Sequence, residues 1–345
     1  MSNDRKYRVV QWATGNIGRC SLRGIIGHPG MELAGLYVSA PDKLGKDAGE
    51  LCGLDKTGIV AIGTVDDIVA LDADCVLYMR QGCDTDEVCR LLASGKNIVT
   101  TRGEFHHPRM MDPDVRRRVE TACAAGNSSI YSTGSSPGFA TEALPLALLS
   151  LQRRLDCLTI DEYADVSRRN SPDLLFNIMG FSRPVGPIHP GTLHHIRDNF
   201  ATSLGQIADA IGMPIDDYEV SGEYAAARQD VAILAGTIPR GTAGAQRITV
   251  EGKRGGKTLL RFRANWYCTR DIEKDWDLQE TGWRMRLDGD TPLDVRISFP
   301  IAIEQYTAVM PGLTAHRALN AVPAVCAAPP GIRTTVDLPQ VIATF

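Results

Sequence analysis

Seven residues near the start of the chain restrict its fold more than any others. Trp12-Ala13-Thr14-Gly15-Asn16-Ile17-Gly18 follows a short apolar run, Tyr7–Trp12, and opens a helical stripe at Ile17, Leu22, Ile25 and Ile26. A strand that feeds a helix through a glycine-bearing turn is the beginning of a dinucleotide-binding βαβ unit. Such a turn needs a residue for the tight bend, a position without Cβ beside the pyrophosphate, and close helix–strand packing. Gly15 and Gly18 occupy the second and third of these positions; Ala13 stands at the first, where glycine is usual. The pyrophosphate would rest on the N–H groups and positive dipole end of the helix. Ala13, Thr14, Gly15, Asn16, Ile17 and Gly18 are all expected to line the cofactor. The simpler alternative is a plain strand-to-helix turn, and the rest of the N-terminal half weighs against it.

That half alternates between two periods. Gly27-His28-Pro29-Gly30 stops the first helix, and Glu32–Val38, Ile59–Ile62, Cys75–Met79, Asn97–Thr101 and Ser129–Ser132 read as further short strands. Helical stretches separate most of them, notably Asp84–Ser94 and Asp112–Ala124. Strand–helix–strand alternation predicts an α/β Rossmann-type, doubly wound parallel sheet. After about residue 150 the pattern changes. Leu155–Val166 reads as a long strand and Thr202–Ile211 as a helix. Ala245–Glu251 and Lys257–Tyr267 flank a Gly-rich turn, and Trp283–Leu287 and Leu293–Phe299 flank Asp288-Gly289-Asp290. This predicts an α+β domain with a mainly antiparallel sheet. With 345 residues and roughly 150 per domain, two domains are expected. The first is placed at 1–150, rejoined by 312–345, which reads as a helix over Gly312–Val325 followed by Pro329-Pro330-Gly331 and an extended tail. The second, 151–311, is expected to bind the substrate and to form the interface of a homodimer.

The charge balance excludes several partners. A net charge of -4 without a long basic run disfavours nucleic acid. Arg116-Arg117-Arg118 falls in a helical stretch and reads as a solvated face. No apolar run approaches the ~18 residues that span a bilayer, and residues 1–8 are polar, so neither membrane nor signal peptide is expected. The nine cysteines are scattered without a C-x-x-C pair, which predicts reduced thiols, no metal site and a cytoplasmic setting.

Open α/β sheets bind ligands at the carboxyl ends of their strands. The second strand ends in Ser39-Ala40-Pro41, without the acid that would hold the ribose diol of NAD; Lys43 and Lys46 follow. A hydroxyl with lysines tolerates a 2′-phosphate, so Ser39 and Lys43 point to NADP, with NAD possible. Arg80 follows the next central strand. Thr133, Gly134 and Pro137 lie in a backbone-exposing loop suited to the nicotinamide ribose or amide. Glu104 is the only carboxylate in the loops after the last three predicted strands; in a partly apolar cleft it would hold its proton more tightly and suit proton transfer. Of His106 and His107, at most one is expected to face the cleft. Phe105, Phe139 and Trp266 are candidate pocket walls, and His194 and His195 belong to a second histidine group with His189. Cys83 and Cys123 have no neighbouring base that would make either a nucleophile.

Four segments resemble the dihydrodipicolinate-reductase-like group that contains 2,4-diaminopentanoate dehydrogenases and native amine dehydrogenases. They are Val9–Gly18, Ser94 through Glu104, Thr133–Phe139 and Ile207–Gly212. In that group the loop after the fifth strand carries the catalytic glutamate, and Glu104 matches it. The resemblance implies reversible reductive amination of a small ketone or aldehyde with ammonia to a primary amine, with NAD(P)H as reductant. His106-His107 is followed by Pro108-Arg109-Met110, and the lysine motif of dihydrodipicolinate reductases proper is missing, so the lysine-biosynthesis reaction is not expected. Arg183–Ile196 is longer than the diaminopentanoate enzymes lead one to expect. Two alternatives stay open: a carbonyl or C=C reductase or alcohol dehydrogenase on the same scaffold, and a catalytically silent NADP-binding sensor.

Overall fold

The computed structural model describes residues 5–345; Met1–Asp4, the first half of the polar start, lies outside the described residues. The chain divides into two compact units. One runs to Phe139 and takes in Val309–Phe345; the other is Ala140–Ala308.

In chain order, the first unit contains β1 (Tyr7–Trp12), α1 (Asn16–Gly27), β2 (Met31–Tyr37), α2 (Ala48–Cys52), β3 (Ala61–Ile62) and α3 (Val65–Ala70). It continues with β4 (Cys75–Tyr78), α4 (Thr85–Ala93), β5 (Asn97–Thr100), α5 (Pro113–Gly126) and β6 (Ser129–Ser132). The second unit holds α6 (Leu144–Leu149), β7 (Leu155–Asp165), α7 (Pro190–Ala210), β8 (Asp217–Ala226), β9 (Val231–Ile233) and β10 (Gly236–Ile238). Next come β11 (Ala243–Arg254), β12 (Lys257–Tyr267), β13 (Gly282–Gly289) and β14 (Leu293–Ser298). The chain then returns through α8 (Tyr306–Ala327) and β15 (Gly331–Arg333) to the first unit.

The first sheet has seven parallel strands in the order β15-β6-β5-β4-β1-β2-β3. This is the Rossmann-type arrangement expected, with a topological switch point between β1 and β4. Its central strands are buried on both faces, as continuous apolar runs such as Cys75–Tyr78 require. One face packs Val10, Val76 and Ile98 against α4 and α5; the other packs Val9 and Leu77 against Leu319 and Val322 of α8. Asp84 and Asp112 accept hydrogen bonds from the first-turn N–H groups of α4 and α5, which sets where these helices begin. Arg116, Arg117 and Arg118 pair with Glu120, Asp114 and Asp86 on the outside of α5, a solvated face. The tail beyond Pro330 is not merely extended, because Gly331–Arg333 adds the seventh strand beside β6.

The second sheet runs β14-β13-β7-β12-β11-β8. It is mixed: β7 and β12 are parallel, and the remaining neighbours are antiparallel. The β11–β12 hairpin is tighter than the sequence suggests. Its strands reach Arg254 and Lys257, leaving Gly255 and Gly256 at φ +56° and +74° as a two-residue turn that glycine alone adopts freely. The helix expected at Thr202–Ile211 is only the last part of α7. His189 Nδ1 accepts from Gly191 N at its start, and Phe200 stacks on Phe262 of β12 at 3.7 Å. Among the described residues no helix is long and apolar enough to cross a membrane.

Candidate cofactor and active site

The turn between β1 and α1 is built around a backbone contact. A Cβ on Gly18 would lie 2.3 Å from the carbonyl oxygen of Ala13, so only glycine lets α1 pack this closely. Ala13 takes φ +74°, the left-handed conformation that the missing glycine would adopt without cost. Gln11 Nε2 donates to the carbonyl oxygens of Trp12 (3.2 Å) and Ala13 (3.0 Å), which braces the bend from below. Gly15 is the N-cap of α1, and no side chain caps the helix there. A Cβ on Gly15 would meet nothing within 4 Å. The first turn of α1 therefore presents bare N–H groups, an arrangement suited to an anion.

Ala13–Gly18 form one wall of a pocket of about 550 Å³, within the size range of small-molecule sites. Ser39, Lys43 and Arg80 line it from the ends of β2 and β4, and Thr133, Gly134 and Pro137 from the loop after β6. Every residue expected from sequence to touch the cofactor thus lies on one cavity. Lys43 Nζ donates to Thr14 Oγ1 at 3.0 Å, folding the lysine over the turn. Arg80 pairs with Glu87, which also accepts from the Tyr78 hydroxyl at 3.0 Å. Thr133 Oγ1 and Ser136 Oγ are buried without a hydrogen-bond partner, two hydroxyls that a polar ligand would satisfy. The lining also includes residues that the sequence reading did not assign to the cofactor, two of them on side chains with partners in the site. Thr314 of α8 bonds to Ser135 Oγ at 2.7 Å, and Arg102 lies at the end of β5.

Arg102 bears directly on Glu104. Its Nε and terminal nitrogen hold the two carboxylate oxygens at 3.2 and 2.7 Å, a two-pronged pair. The partly apolar setting expected for Glu104 is not what its own unit provides, since the side chain is 42% exposed and faces a guanidinium. Glu104 stands beside the pocket through Arg102, which is in its wall. Phe105, expected as a pocket wall, is instead fully buried among Tyr78, Ile98 and Ile130. The short turn Gly103–Phe105 carries Glu104 outward and its neighbour inward. His106 and His107 are both buried, and His106 Nδ1 lies 3.2 Å from Ser132 Oγ. Burial pushes the Cys83 thiol up to about 12, with the Glu104 charge adding to it, and burial does the same to Cys123. Neither supplies a thiolate at neutral pH.

Phe139 is half-buried at the end of the first unit. In the second unit His194 and His195 are exposed on α7, and His195 Nε2 meets Asn199 Nδ2 at 3.2 Å. Trp266 is half-buried, with Nε1 donating to Glu162. Among the described residues no hydrogen bond or ring contact joins either histidine to Trp266.

Residues 188–345 match the family model described as the 2,4-diaminopentanoate dehydrogenase C-terminal domain. The chain is similar to an amine dehydrogenase of Streptomyces virginiae, 26% identical over 350 residues that cover 96% of each protein. Its fold resembles that of an amine dehydrogenase from Mycobacterium smegmatis, with a TM-score of 0.76 at 15% identity over 98% of this chain and 97% of that one. It also resembles GenD2 from gentamicin A biosynthesis, solved in complex with NAD, with a TM-score of 0.54 at 12% identity over 96% and 90% of the two chains. The resemblance read from the four sequence segments is borne out.

Proposed function

We propose that this chain, an NAD(P)-dependent oxidoreductase similar to amine dehydrogenases, catalyses the reversible reductive amination of a small ketone or aldehyde with ammonia to a primary amine. The observation that carries this reading is the Arg102–Glu104 pair at the carboxyl end of β5, one partner in the wall of the cofactor pocket and the other beside it. The residues present fit a dinucleotide. The uncapped start of α1 and the open space above Gly15 suit a pyrophosphate. Ser39 and Lys43 suit a 2′-phosphorylated ribose, which favours NADP. Thr133 Oγ1 and Ser136 Oγ have free hydrogen-bonding capacity for the nicotinamide ribose or amide.

When bound, the reduced nicotinamide supplies hydride to the substrate carbon. The protein must stabilise the cation that accepts it, because an iminium removed from water is costly without a counter-charge. Glu104 supplies that charge. It also takes the proton that ammonium gives up before attacking the carbonyl, and positions water for hydrolysis in the reverse direction. Arg102 holds the carboxylate in one orientation from within the pocket wall. The second unit is assigned the rest of the substrate contacts and the contact between two copies of the chain.

The deciding experiment follows NADPH and NADH absorbance with a panel of small ketones and aldehydes, with and without ammonium. Consumption that requires ammonium supports the reading. Equal consumption without it replaces the reading with a carbonyl or C=C reductase, and binding without turnover on any substrate replaces it with a sensor.

A further inference from the structure

After β6 the chain of the first unit turns through Thr133-Gly134-Ser135-Ser136-Pro137-Gly138, a loop folded tightly onto itself. Thr133 N donates to the carbonyl oxygen of Thr100 at the end of β5 (2.9 Å), and Phe139 N closes the loop onto the carbonyl oxygen of Gly134 (2.8 Å). A Cβ on Gly138 would lie 2.4 Å from Gly134 N and 2.8 Å from Thr133 Oγ1, so the loop covers one side of that hydroxyl. Ser135 Oγ is taken by Thr314 Oγ1 of α8 at 2.7 Å. The hydroxyls before and after it are not taken. Thr133 Oγ1, on a residue 2% exposed, and Ser136 Oγ are both buried without a hydrogen-bond partner, and both residues line the cofactor pocket.

Two buried hydroxyls without partners are unfavourable until a polar ligand satisfies them. A hydroxyl both donates and accepts, so the pair suits a group that carries an acceptor and a donor side by side. The nicotinamide half of the cofactor offers two such groups, the ribose diol and the carboxamide, and position separates them. The pyrophosphate is assigned to the turn after β1, and the sheet runs β6-β5-β4-β1. Neighbouring strands lie about 4.8 Å apart, so the end of β6 is about 14 Å across the sheet from the end of β1. A ribose bonded directly to the pyrophosphate falls over β4, beside Met79 and Arg80 in the pocket wall. The carboxamide, one ring further out, is the part that reaches β6. A nicotinamide held there lies across the end of β5, the strand that Arg102 and Glu104 follow, where the proposed chemistry needs it.

We infer that Thr133 Oγ1 and Ser136 Oγ together bind the carboxamide of the nicotinamide ring and not the adjoining ribose, which makes them the residues that recognise the reactive end of the cofactor. The assignment rests on the dinucleotide reading of the pocket and is independent of the amine chemistry at Glu104.

The test is calorimetric titration of the full chain with two ligands. One is NADP; the other is 2′-phospho-ADP-ribose, which keeps every phosphate and both riboses but lacks the nicotinamide. Thr133→Val removes the hydroxyl at constant size. It should weaken NADP by about 5- to 100-fold, the scale of a buried polar group left unpaired, and leave 2′-phospho-ADP-ribose within about twofold of wild type. Thr133→Ser restores a hydroxyl and should return NADP to within about threefold of wild type. Equal weakening of the two ligands assigns the hydroxyls to the ribose and overturns the inference, and so does unchanged NADP affinity. If Thr133→Val does not fold, Ser136→Ala decides the point by the same comparison. A wild type that binds neither ligand overturns the dinucleotide reading itself and the inference with it, a result distinct from the other two. Because binding needs no ammonium, failure of the amine reading leaves the comparison intact.

Discussion

The Cβ that Gly18 lacks would lie 2.3 Å from the carbonyl oxygen of Ala13, a residue itself held at φ +74°. The two positions make opposite predictions. At Ala13 a left-handed alanine costs about 1–2 kcal/mol, whereas glycine adds about 0.5–1 kcal/mol of unfolded-chain entropy. Ala13→Gly should therefore leave cofactor affinity intact and stabilise the protein by up to about 1 kcal/mol, read as a raised denaturant midpoint. Gly18→Ala has no such room, because the atom it meets is backbone. It should lower the midpoint and weaken NADP binding together. A neutral Gly18→Ala in both measurements would show that the helix can slide away from the strand.

Gly15 separates folding from binding. Its backbone is extended at φ -70°, which any residue adopts, and its missing Cβ faces open space. Gly15→Val should therefore fold with wild-type stability and lose measurable NADP binding in calorimetry, since the branched side chain occupies the place of the pyrophosphate. Retained affinity would move the cofactor off this turn.

Cofactor choice turns on Ser39 and Lys43. Ser39 is exposed on the pocket, and Lys43 is folded onto Thr14 with its ammonium 3.0 Å from Oγ1. Ser39→Asp should repel a 2′-phosphate and shift the NADP/NAD ratio of kcat/KM toward NAD by about tenfold or more, where 1.4 kcal/mol is one decade. Lys43→Met should weaken NADP more than NAD. If both variants keep the wild-type ratio, the phosphate is read by another group.

The parts of the site that could be read from the sequence are those built by local chemistry. The Gly15–Gly18 turn, the strand-end loops and the parallel, doubly wound character of the first sheet follow from short buried runs alternating with helices. Parts assembled by distant chain segments could not be read. Thr314 reaches the pocket because α8 returns to pack on the first sheet, a contact 179 residues from Ser135. Arg102 has no mark in the sequence that separates it from a solvated arginine; its role depends on the turn that swings Glu104 back toward it. The same turn corrects Phe105, since three residues of tight helix put neighbours on opposite sides. The first half of α7, ahead of the expected Thr202–Ile211, opens on Pro190-Gly191, where proline sits in the first turn and its missing N–H costs the helix nothing.

Glu104 carries the chemical prediction. Glu104→Gln keeps the size of the side chain and removes both the charge and the base. General base catalysis is typically worth ~10²–10⁴-fold, and loss of the iminium's counter-charge adds to that. Reductive amination in ammonium buffer should fall at least about a hundredfold. Stability should not obscure the result. The Arg102–Glu104 pair is 29% and 42% exposed, and pairs of that kind contribute about 0–1 kcal/mol. NADP affinity should stay close to wild type, because Ala13–Gly18, Ser39 and Lys43 are untouched. Arg102→Gln is the companion variant: it leaves the base in place but unheld, so it should lower kcat by less than Glu104→Gln does and alter cofactor affinity as well, since Arg102 lines the pocket. Near-wild-type turnover in Glu104→Gln would reduce that residue to a loop charge and remove the main support for amine chemistry. A large fall in an enzyme that never needed ammonium would keep Glu104 as the catalytic carboxylate and replace the substrate class.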